Sequence, residues 1–311
     1  MTRHHHQGAG QTSRALALAL CITAVFFVVE VVGAIFTHSL ALLGDAGHQL
    51  SDVGAIGLSL FAIWLAARPH APERTFGYHR AEIVAALANG LTLLAVCAYI
   101  FWEAAHRFAD PPRVHSGPML VIAAAGLAAN SVSGLILGHA AGDSLNFRSA
   151  LIDVLGDAAA ALGAIAAAII MLTTGWLLAD PLISVVIGLL ILVSGVRITR
   201  DALRIFLEFV PGHVDMTSVR DALLSVEGIV GVHDLHVWTI TSGFVALSCH
   251  AQLAPEANAS KVLRLANAIL TERFRIRHVT IQPEPEPMHA GLGGEVCCLD
   301  EHAVDPVAKA I

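Results

Sequence analysis

Long apolar runs separated by short polar breaks fill the first two thirds of the chain. Each run is long enough to cross a hydrocarbon core as a helix, which takes about 20 residues. Prolines and arginines break the pattern after the second run, and Pro111 and Pro112 end the third. The pattern predicts six membrane-spanning helices, at residues 14–36, 40–67, 81–108, 118–139, 147–174 and 176–198.

The pattern changes after Pro211, where it becomes that of a small soluble domain. The elements it predicts are helices at 215–226 and 257–273 and strands at 230–241, 244–253 and 278–282. Their order, αββαβ, favours two helices packed on one face of a three-stranded sheet. The predicted fold class is a polytopic α-helical membrane domain followed by an α+β domain. The predicted divisions are a His-containing tail at 1–13, a transport domain at 14–208, a cytosolic domain at 209–288 and an irregular tail at 289–311.

Composition agrees with a membrane protein and disfavours other classes. The 311 residues are 56% hydrophobic and 14% charged, whereas soluble proteins are about 25% charged. The net charge of -7 excludes a strongly basic protein, so nucleic acid is not an expected partner. The five cysteines are odd in number and include the adjacent Cys297 and Cys298, which is no disulfide framework.

Arginines predict which side of the bilayer each loop faces. Six spans place both termini on the same side, and cytoplasmic loops carry an excess of Lys and Arg. The loops after the even-numbered spans hold most of the arginines, so we expect both termini and the C-terminal domain to be cytoplasmic. These arginines are Arg68, Arg74, Arg80, Arg148, Arg197, Arg200 and Arg204, against Arg107 and Arg113 on the other side.

Two pairs of metal-ligand side chains interrupt the apolar runs. His48 and Asp52 are four residues apart in the second span, and so are Asp153 and Asp157 in the fifth. This spacing puts both members of a pair on one helix face. A single intramembrane Asp can serve helix packing, but a repeated pair of costly ionisable groups favours a function. Imidazole and carboxylate suit Zn²⁺, and the lack of a thiolate disfavours monovalent copper, so the pairs predict one site for a divalent cation.

The same side chains predict how transport is driven. Metal binding needs the deprotonated ligands, so protons arriving from the acidic side displace the metal. Asp45, three residues before His48, is a candidate to accept a bond from that ligand and orient it, the alternative being a residue that caps the helix or lines the pathway. The sequence has no P-loop, so exchange of metal for H⁺ is favoured over an ATP-driven pump.

Three stretches resemble the cation diffusion facilitator family. They read SLALLGDAGH at 39–48, TFGYHRAE at 75–82 and HDLHVW at 233–238, and the resemblance extends over residues 14–284. The chain is most similar to the bacterial cobalt–zinc–cadmium efflux branch and to vertebrate vesicular zinc transporters. This resemblance implies a homodimer with six transmembrane helices and a ferredoxin-like cytosolic domain. It also implies metal export by H⁺ antiport with alternating access, in a bacterial inner membrane.

By position, the resemblance puts the family's transport site on His48, Asp52, Asp153 and Asp157. Zinc-selective members commonly have His-x-x-x-Asp in both helices, whereas this chain has Asp153 where the second His would be. Three carboxylates and one imidazole make a harder and more negative site. Zn²⁺ stays the expected cargo, with Co²⁺, Fe²⁺, Mn²⁺ and Cd²⁺ as alternatives.

The resemblance also implies a zinc site in the cytosolic domain. His233, His250 and Glu284 match ligands of the vesicular zinc transporters, in which the N-terminal segment completes the site. The alternative for a His on a strand, here including His236, is an ordinary polar residue. The N-terminal segment offers His4, His5 or His6, although this stretch equally fits a disordered tail or an added tag.

The C-terminal tail and the loop after the second span hold further candidates. In the tail, Cys297 and Cys298 with His289 and His302 predict a metal site, the alternative being a free and reducible tail. In the loop, His79 matches an interfacial His of the family and is expected to bind metal with His70 or His278. Arg80 and Glu208 match a pair that joins the two domains at the dimer centre, the alternative being charges that reach the headgroups.

The leading interpretation is a secondary transporter that exports Zn²⁺ from the cytosol in exchange for H⁺. A broader divalent-cation exporter is the first alternative. A membrane metal sensor without transport is the second, but a sensor would not need paired intramembrane carboxylates. A membrane hydrolase with a metal-activated water would need an open ligand position and a substrate groove, and no enzyme activity is expected.

Overall fold

The computed structural model describes the backbone of residues 5–66, 72–73, 75–140 and 145–285. It describes side chains within these ranges except at 5–20, 51–52, 55–56, 58–60, 62–63, 66, 137–140 and 145–155. The chain divides into two compact units. The first consists of residues 1–69 and 84–201, and the second of residues 70–83 and 202–311.

Long helices make up the first unit. They are α1 His5–Thr37, α2 Leu40–Ala66, α3 Ala81–Ala109, α4 Ser116–Ala140, α5 Leu145–Thr174 and α6 Ala179–Phe206, the first residues of α3 and the last of α6 belonging to the second unit. Within the described residues, four stretches are long and apolar enough to cross a membrane. These are Ala81–Ala109, Ser116–Ile136, Gly156–Thr174 and Ala179–Phe206, while Cys21–Thr37 is a shorter apolar stretch.

The helix surfaces divide into a small-residue interior and a large apolar exterior. On α5, Ala160, Ala164 and Ala167 are almost fully buried, which lets neighbouring helix backbones approach closely. Large side chains such as Val193 and Leu135 are 68% and 63% exposed. An exterior of this kind suits contact with lipid, where exposed apolar area costs nothing.

Two helices are longer than the apolar pattern predicts. Helix α6 begins at Ala179, three residues after the predicted start, because Gly175 adopts φ 68° in the preceding turn. It continues to Phe206, past the predicted end at residue 198. Helix α1 likewise begins at His5, before the predicted start at residue 14. The apolar pattern predicts where a helix leaves the hydrocarbon core, which is not where the helix ends. A polar continuation such as that of α6 keeps its helical hydrogen bonds in water.

The second unit contains α7 Met216–Leu224, β1 Ile229–Thr241, β2 Phe244–Leu253, α8 Ala259–Phe274 and β3 His278–Pro285, in the predicted αββαβ order. The sheet order is β1-β2-β3, with β1 antiparallel and β3 parallel to β2. Asp215 and Asn258 cap the N-termini of α7 and α8 by accepting bonds from Ser218 N and Lys261 N. Buried side chains such as Val219, Leu247 and Leu270 form the core of this domain.

Strand β3 extends three residues beyond its predicted end at residue 282. The extension includes Pro283 and Pro285, which pair with Ala251 and Leu253 of β2. Because β3 lies at the edge of the sheet, a missing backbone N–H is tolerated there. The consequence for function is that Glu284 lies in the strand and not after it.

Candidate metal centres

His48 of α2 and Asp157 of α5 lie beside each other within the helical unit. Their Nδ1 and Oδ1 atoms are 3.6 Å apart, and both side chains are mostly buried. Gly156 of α5 faces the same imidazole, since an added Cβ would lie 3.9 Å from His48 Nε2, an ordinary van der Waals distance. Two ligands of one tetrahedral Zn²⁺, with bonds of about 2.0–2.1 Å, lie about 3.3 Å apart. The observed separation is close to that value.

The partners of these two residues in the predicted quartet are Asp52 and Asp153. Their backbones lie one helical turn away, after His48 on α2 and before Asp157 on α5. Their side chains lie outside the described residues. The quartet as a single site therefore stays a prediction.

Further polar side chains are fully buried in the helical unit, and sequence reasoning gave them little or no role. Glu30 of α1 and Asp45 and Gln49 of α2 are each 0% exposed. Gln49 Nε2 donates to Glu30 Oε2 at 2.5 Å. The available signal for Glu30 was a single acidic residue inside the first apolar run.

Asp180 of α6 holds the start of the helix that carries His48. Its carboxylate accepts bonds from Ser39 Oγ at 2.6 Å, Leu40 N at 2.8 Å and Ala41 N at 3.2 Å. Arg107 Nη1 lies 3.4 Å from the same carboxylate. These bonds satisfy amides that the first turn of α2 leaves without helical partners. They fix where α2 begins and therefore the position of its ligands.

His233, His250 and Glu284 come together in the sheet of the second unit. Their ligand atoms all lie within 4.8 Å of one another. The strand register causes this, because β1 and β2 pair His233 with His250 and β3 brings Glu284 beside Gln252. His250 Nδ1 lies 2.8 Å from Glu284 Oε1, and His233 Nε2 lies 3.3 Å from Oε2. Two imidazoles around a buried carboxylate are a donor set that fits Zn²⁺.

Asp234 adds a carboxylate that sequence reasoning missed. It has φ 50° and lies where the register of β1 shifts between His233 and His236. Neighbouring residues of a regular strand point to opposite faces, and a bulge relaxes that rule. Asp234 Oδ2 accordingly lies 3.8 Å from His250 Nε2, while Oδ1 lies 2.8 Å from His236 Nε2. No sequence pattern predicts a bulge at this position.

The buried thiol of Cys249, next to His250, does not extend this donor set. It packs in the apolar core of the second unit. Neighbouring residues of a strand point to opposite faces of the sheet, so the thiol points away from the imidazole of His250.

The structure places the predicted interfacial residues within the second unit. Arg80 Nη2 and Glu208 Oε1 form a half-exposed ion pair at 2.5 Å. The rings of His79 and His278 both pack against Phe244, with centroid distances of 5.9 and 5.6 Å. The candidates that lie outside the described residues, wholly or by their side chains, are His4, His5, His6, His70, His289, Cys297, Cys298 and His302.

Glu82 makes a further contact that the sequence did not predict. It lies in the first turn of α3, in the part that belongs to the second unit. Its carboxylate accepts bonds from Thr241 Oγ1 and Ser242 Oγ, the latter at 2.6 Å. It thereby holds the turn between β1 and β2.

Two family models match the chain and cover most of its length. The cation efflux transmembrane domain matches residues 16–207, and the cytoplasmic domain of cation efflux proteins matches residues 211–286. The chain belongs to the cation efflux family. This family consists of membrane cation transporters and is not a family of enzymes.

Similar members of the cation efflux family are known from several bacteria. A cadmium, cobalt and zinc/H(+)-K(+) antiporter of Bacillus velezensis is 39% identical over 91% of this chain and 92% of its own. The metal cation efflux system protein CzcD of Cupriavidus metallidurans is 40% identical over 91% and 90%. The zinc transporter ZitB of Escherichia coli is 37% identical over 95% and 94%.

A solved structure of the metal-bound C-terminal domain of the CzcD transporter from Cupriavidus metallidurans is also similar to part of this chain. It is 38% identical and covers 23% of this chain and 99% of its own, with a TM-score of 0.22.

Proposed function

We propose that this protein exports Zn²⁺ from the cytosol in exchange for H⁺. In this proposal it is a homodimer with six transmembrane helices and a ferredoxin-like cytosolic domain. It lies in a bacterial inner membrane with both termini cytoplasmic. The observation that carries the proposal is the proximity of His48 and Asp157, on two apolar helices, at a separation close to that of two ligands of one Zn²⁺.

The transport site consists of His48, Asp52, Asp153 and Asp157. Zn²⁺ from the cytosol binds these side chains in their deprotonated forms. After the site opens to the other side, protons occupy the imidazole and carboxylates, and the metal leaves. The membrane potential and pH gradient then favour return of the protonated site to the cytosol. No nucleotide takes part.

A broader divalent-cation exporter is the second candidate function. Asp153 in place of a second His supports it, because carboxylate-rich sites hold Co²⁺ and Mn²⁺ as well as Zn²⁺. Two similar relatives are also named for more than zinc alone, one for cadmium, cobalt and zinc and one for metal cations. Transport of Co²⁺ or Cd²⁺ by the purified protein at rates like that of Zn²⁺ would favour this candidate.

The cytosolic site made by His233, His250 and Glu284 is proposed to hold a resident Zn²⁺. Glu284 is 2% exposed and lies within 3.3 Å of both imidazoles. A buried carboxylate in that position would neutralise part of the charge of the ion. A metal there would join three strands of one sheet and stabilise the cytosolic domain or regulate transport.

The experiment that tests the transport site uses the full chain in proteoliposomes with an imposed pH gradient. We expect the gradient to drive Zn²⁺ flux in the wild type and Asp157→Ala to abolish it. Asp110→Ala is the matched control, because Asp110 is an exposed acid after α3. Zinc flux that does not depend on the pH gradient would contradict antiport. Wild-type flux in Asp157→Ala would show that this residue is not a ligand of the transport site.

A further inference from the structure

We propose that Glu30 is a proton-carrying residue of the antiport cycle, distinct from the metal ligands. Its carboxyl holds one of the exchanged protons. This inference rests on the proposed H⁺-coupled export. It assigns the proton of one step to a group on α1, a helix that supplies none of the proposed ligands.

Burial of Glu30 is the first observation. The side chain is fully buried in the apolar stretch Cys21–Thr37 of α1. Among the described residues, no Lys, Arg or His forms an ion pair with it. A carboxylate at such depth is too costly to persist without a cation, so the group binds a proton instead.

The groups around Glu30 are mostly acidic or neutral. From α2, Gln49 Nε2 donates to Oε2 at 2.5 Å, and Asp45 is fully buried on the same helix one turn earlier. Asp157 of α5 lies beside His48, the chain neighbour of Gln49. The described part of α4, Ser116–Ile136, carries no titratable side chain. The other oxygen, Oε1, is buried with no hydrogen-bond partner among the described residues, which suits a protonated carboxyl better than a charged one.

The fold makes room for this carboxyl. Gly126 of α4 faces Glu30, and a Cβ there would lie 2.5 Å from Oε1 and 2.9 Å from Cε1 of Phe26. An alanine would therefore displace the carboxyl. Gln49, whose side-chain amide donates to Glu30, directly follows His48 in the chain. A change at the metal site therefore reaches Glu30 through one hydrogen bond. Neither Gln49 nor Gly126 is a proposed ligand.

The charge of the cargo provides the coupling. Zn²⁺ bound by His48 and Asp157 brings a positive charge next to Gln49, the hydrogen-bond partner of Glu30, and Glu30 then releases its proton toward the cytosol. When Zn²⁺ leaves, Glu30 takes up a proton from the opposite side. Only the O–H bond of the carboxyl is broken and formed. Through this group, one H⁺ moves inward for each Zn²⁺ that moves outward.

The test measures Zn²⁺ and H⁺ fluxes together in proteoliposomes that contain the full chain, with one dye for each ion. In Glu30→Gln, we expect the H⁺ to Zn²⁺ ratio to fall by one relative to wild type. Zinc binding in detergent and downhill zinc flux should persist, because the ligands are intact. Glu30→Asp, which restores an acid, should restore the wild-type ratio.

A wild-type ratio in Glu30→Gln would overturn the proposal. Zinc flux uncoupled from H⁺ in the wild type would instead contradict the proposed antiport itself, so the two failures are distinguishable. If Glu30→Gln does not fold, Gly126→Ala replaces it. That variant should shift the pH midpoint of proton coupling while zinc affinity stays at the wild-type value, and an unchanged midpoint would overturn the proposal.

Discussion

The two candidate metal centres use the same ligand types on different scaffolds. In the membrane unit, His48 and Asp157 come from two helices and lie 3.6 Å apart. In the second unit, His233, His250 and Glu284 come from three neighbouring strands, with contacts of 2.8 and 3.3 Å. Packed helices can shift by 1–2 Å, about the scale of a switching transition. Paired strands cannot move without losing hydrogen bonds. The first scaffold suits an ion that passes through, and the second suits an ion that stays.

The largest expected effect is on Zn²⁺ flux, which should depend strongly on the centre at His48 and far less on the centre at His233 and His250. His48→Ala should lower Zn²⁺ flux in proteoliposomes by at least about 100-fold, since even a residue that only supports a ligand is worth 10–100-fold in metal affinity. His233→Ala combined with His250→Ala should lower flux far less. The amount of zinc that stays bound after dialysis should show the opposite order. The double variant should lose most of this zinc, and His48→Ala should lose far less.

Two outcomes would break this comparison. If the double variant abolishes flux as His48→Ala does, the candidate centre of the second unit lies on the transport path. If the double variant retains all of its bound zinc, the two histidines of the sheet are structural. His213→Ala is the control for both measurements, because it is an exposed His of the same unit outside either cluster.

The second expected effect concerns the cap that positions the membrane centre. Asp180→Ala removes a buried carboxylate that accepts three bonds at the start of α2 and leaves Arg107 without this partner. We expect a loss of about 3 kcal/mol in stability of the membrane unit, as for other broken buried pairs. A thermal-shift measurement of the full chain in detergent checks this.

A nearby pair provides the control for that measurement. Arg107 Nε also bonds to Glu103 one turn earlier on α3, where the carboxylate is 24% exposed. Glu103→Ala should cost only about 0.3–0.5 kcal/mol, the usual value for such a helix pair. Equal losses in both variants would mean that Asp180 contributes no more than a surface charge. Zinc retention by His233, His250 and Glu284 should be the same in both variants.

Much of this architecture follows from local sequence patterns, and the exceptions are long-range. Apolar runs located the helices, and the i, i+4 spacing singled out His48 and Asp157. The αββαβ order was confirmed because alternation and turn residues are local signals. The cap by Asp180 was not predictable, because it joins residues about 140 positions apart. Glu284 in a strand and the bulge at Asp234 depend on sheet position and register, which only pairing decides.

The smallest expected effect concerns the acid sensitivity of the second unit, and it should be the same whether or not zinc is bound there. Asp215 caps α7, and bonds from the Ser218 hydroxyl and amide hold its pKa below the ordinary value. A carboxyl with a lowered folded pKa binds fewer protons than in the unfolded chain. Its contribution is therefore complete above the unfolded pKa, about 3.9, and is lost as pH falls through the folded value. Asp215→Asn should flatten stability in that acidic window, with or without zinc.

Fluorescence of Trp238 during unfolding of the full chain measures this effect, because Trp238 is the only Trp of the second unit. The other three tryptophans are replaced by Phe so that they do not contribute; they are Trp64, Trp102 and Trp176. Asp221→Asn on the exposed side of α7 is the matched control. The same slope in Asp215→Asn and wild type would show that the cap does not set the acid response. A flattening seen only with zinc present would instead assign that response to the metal centre, and the sheet would then owe its rigidity to the ion.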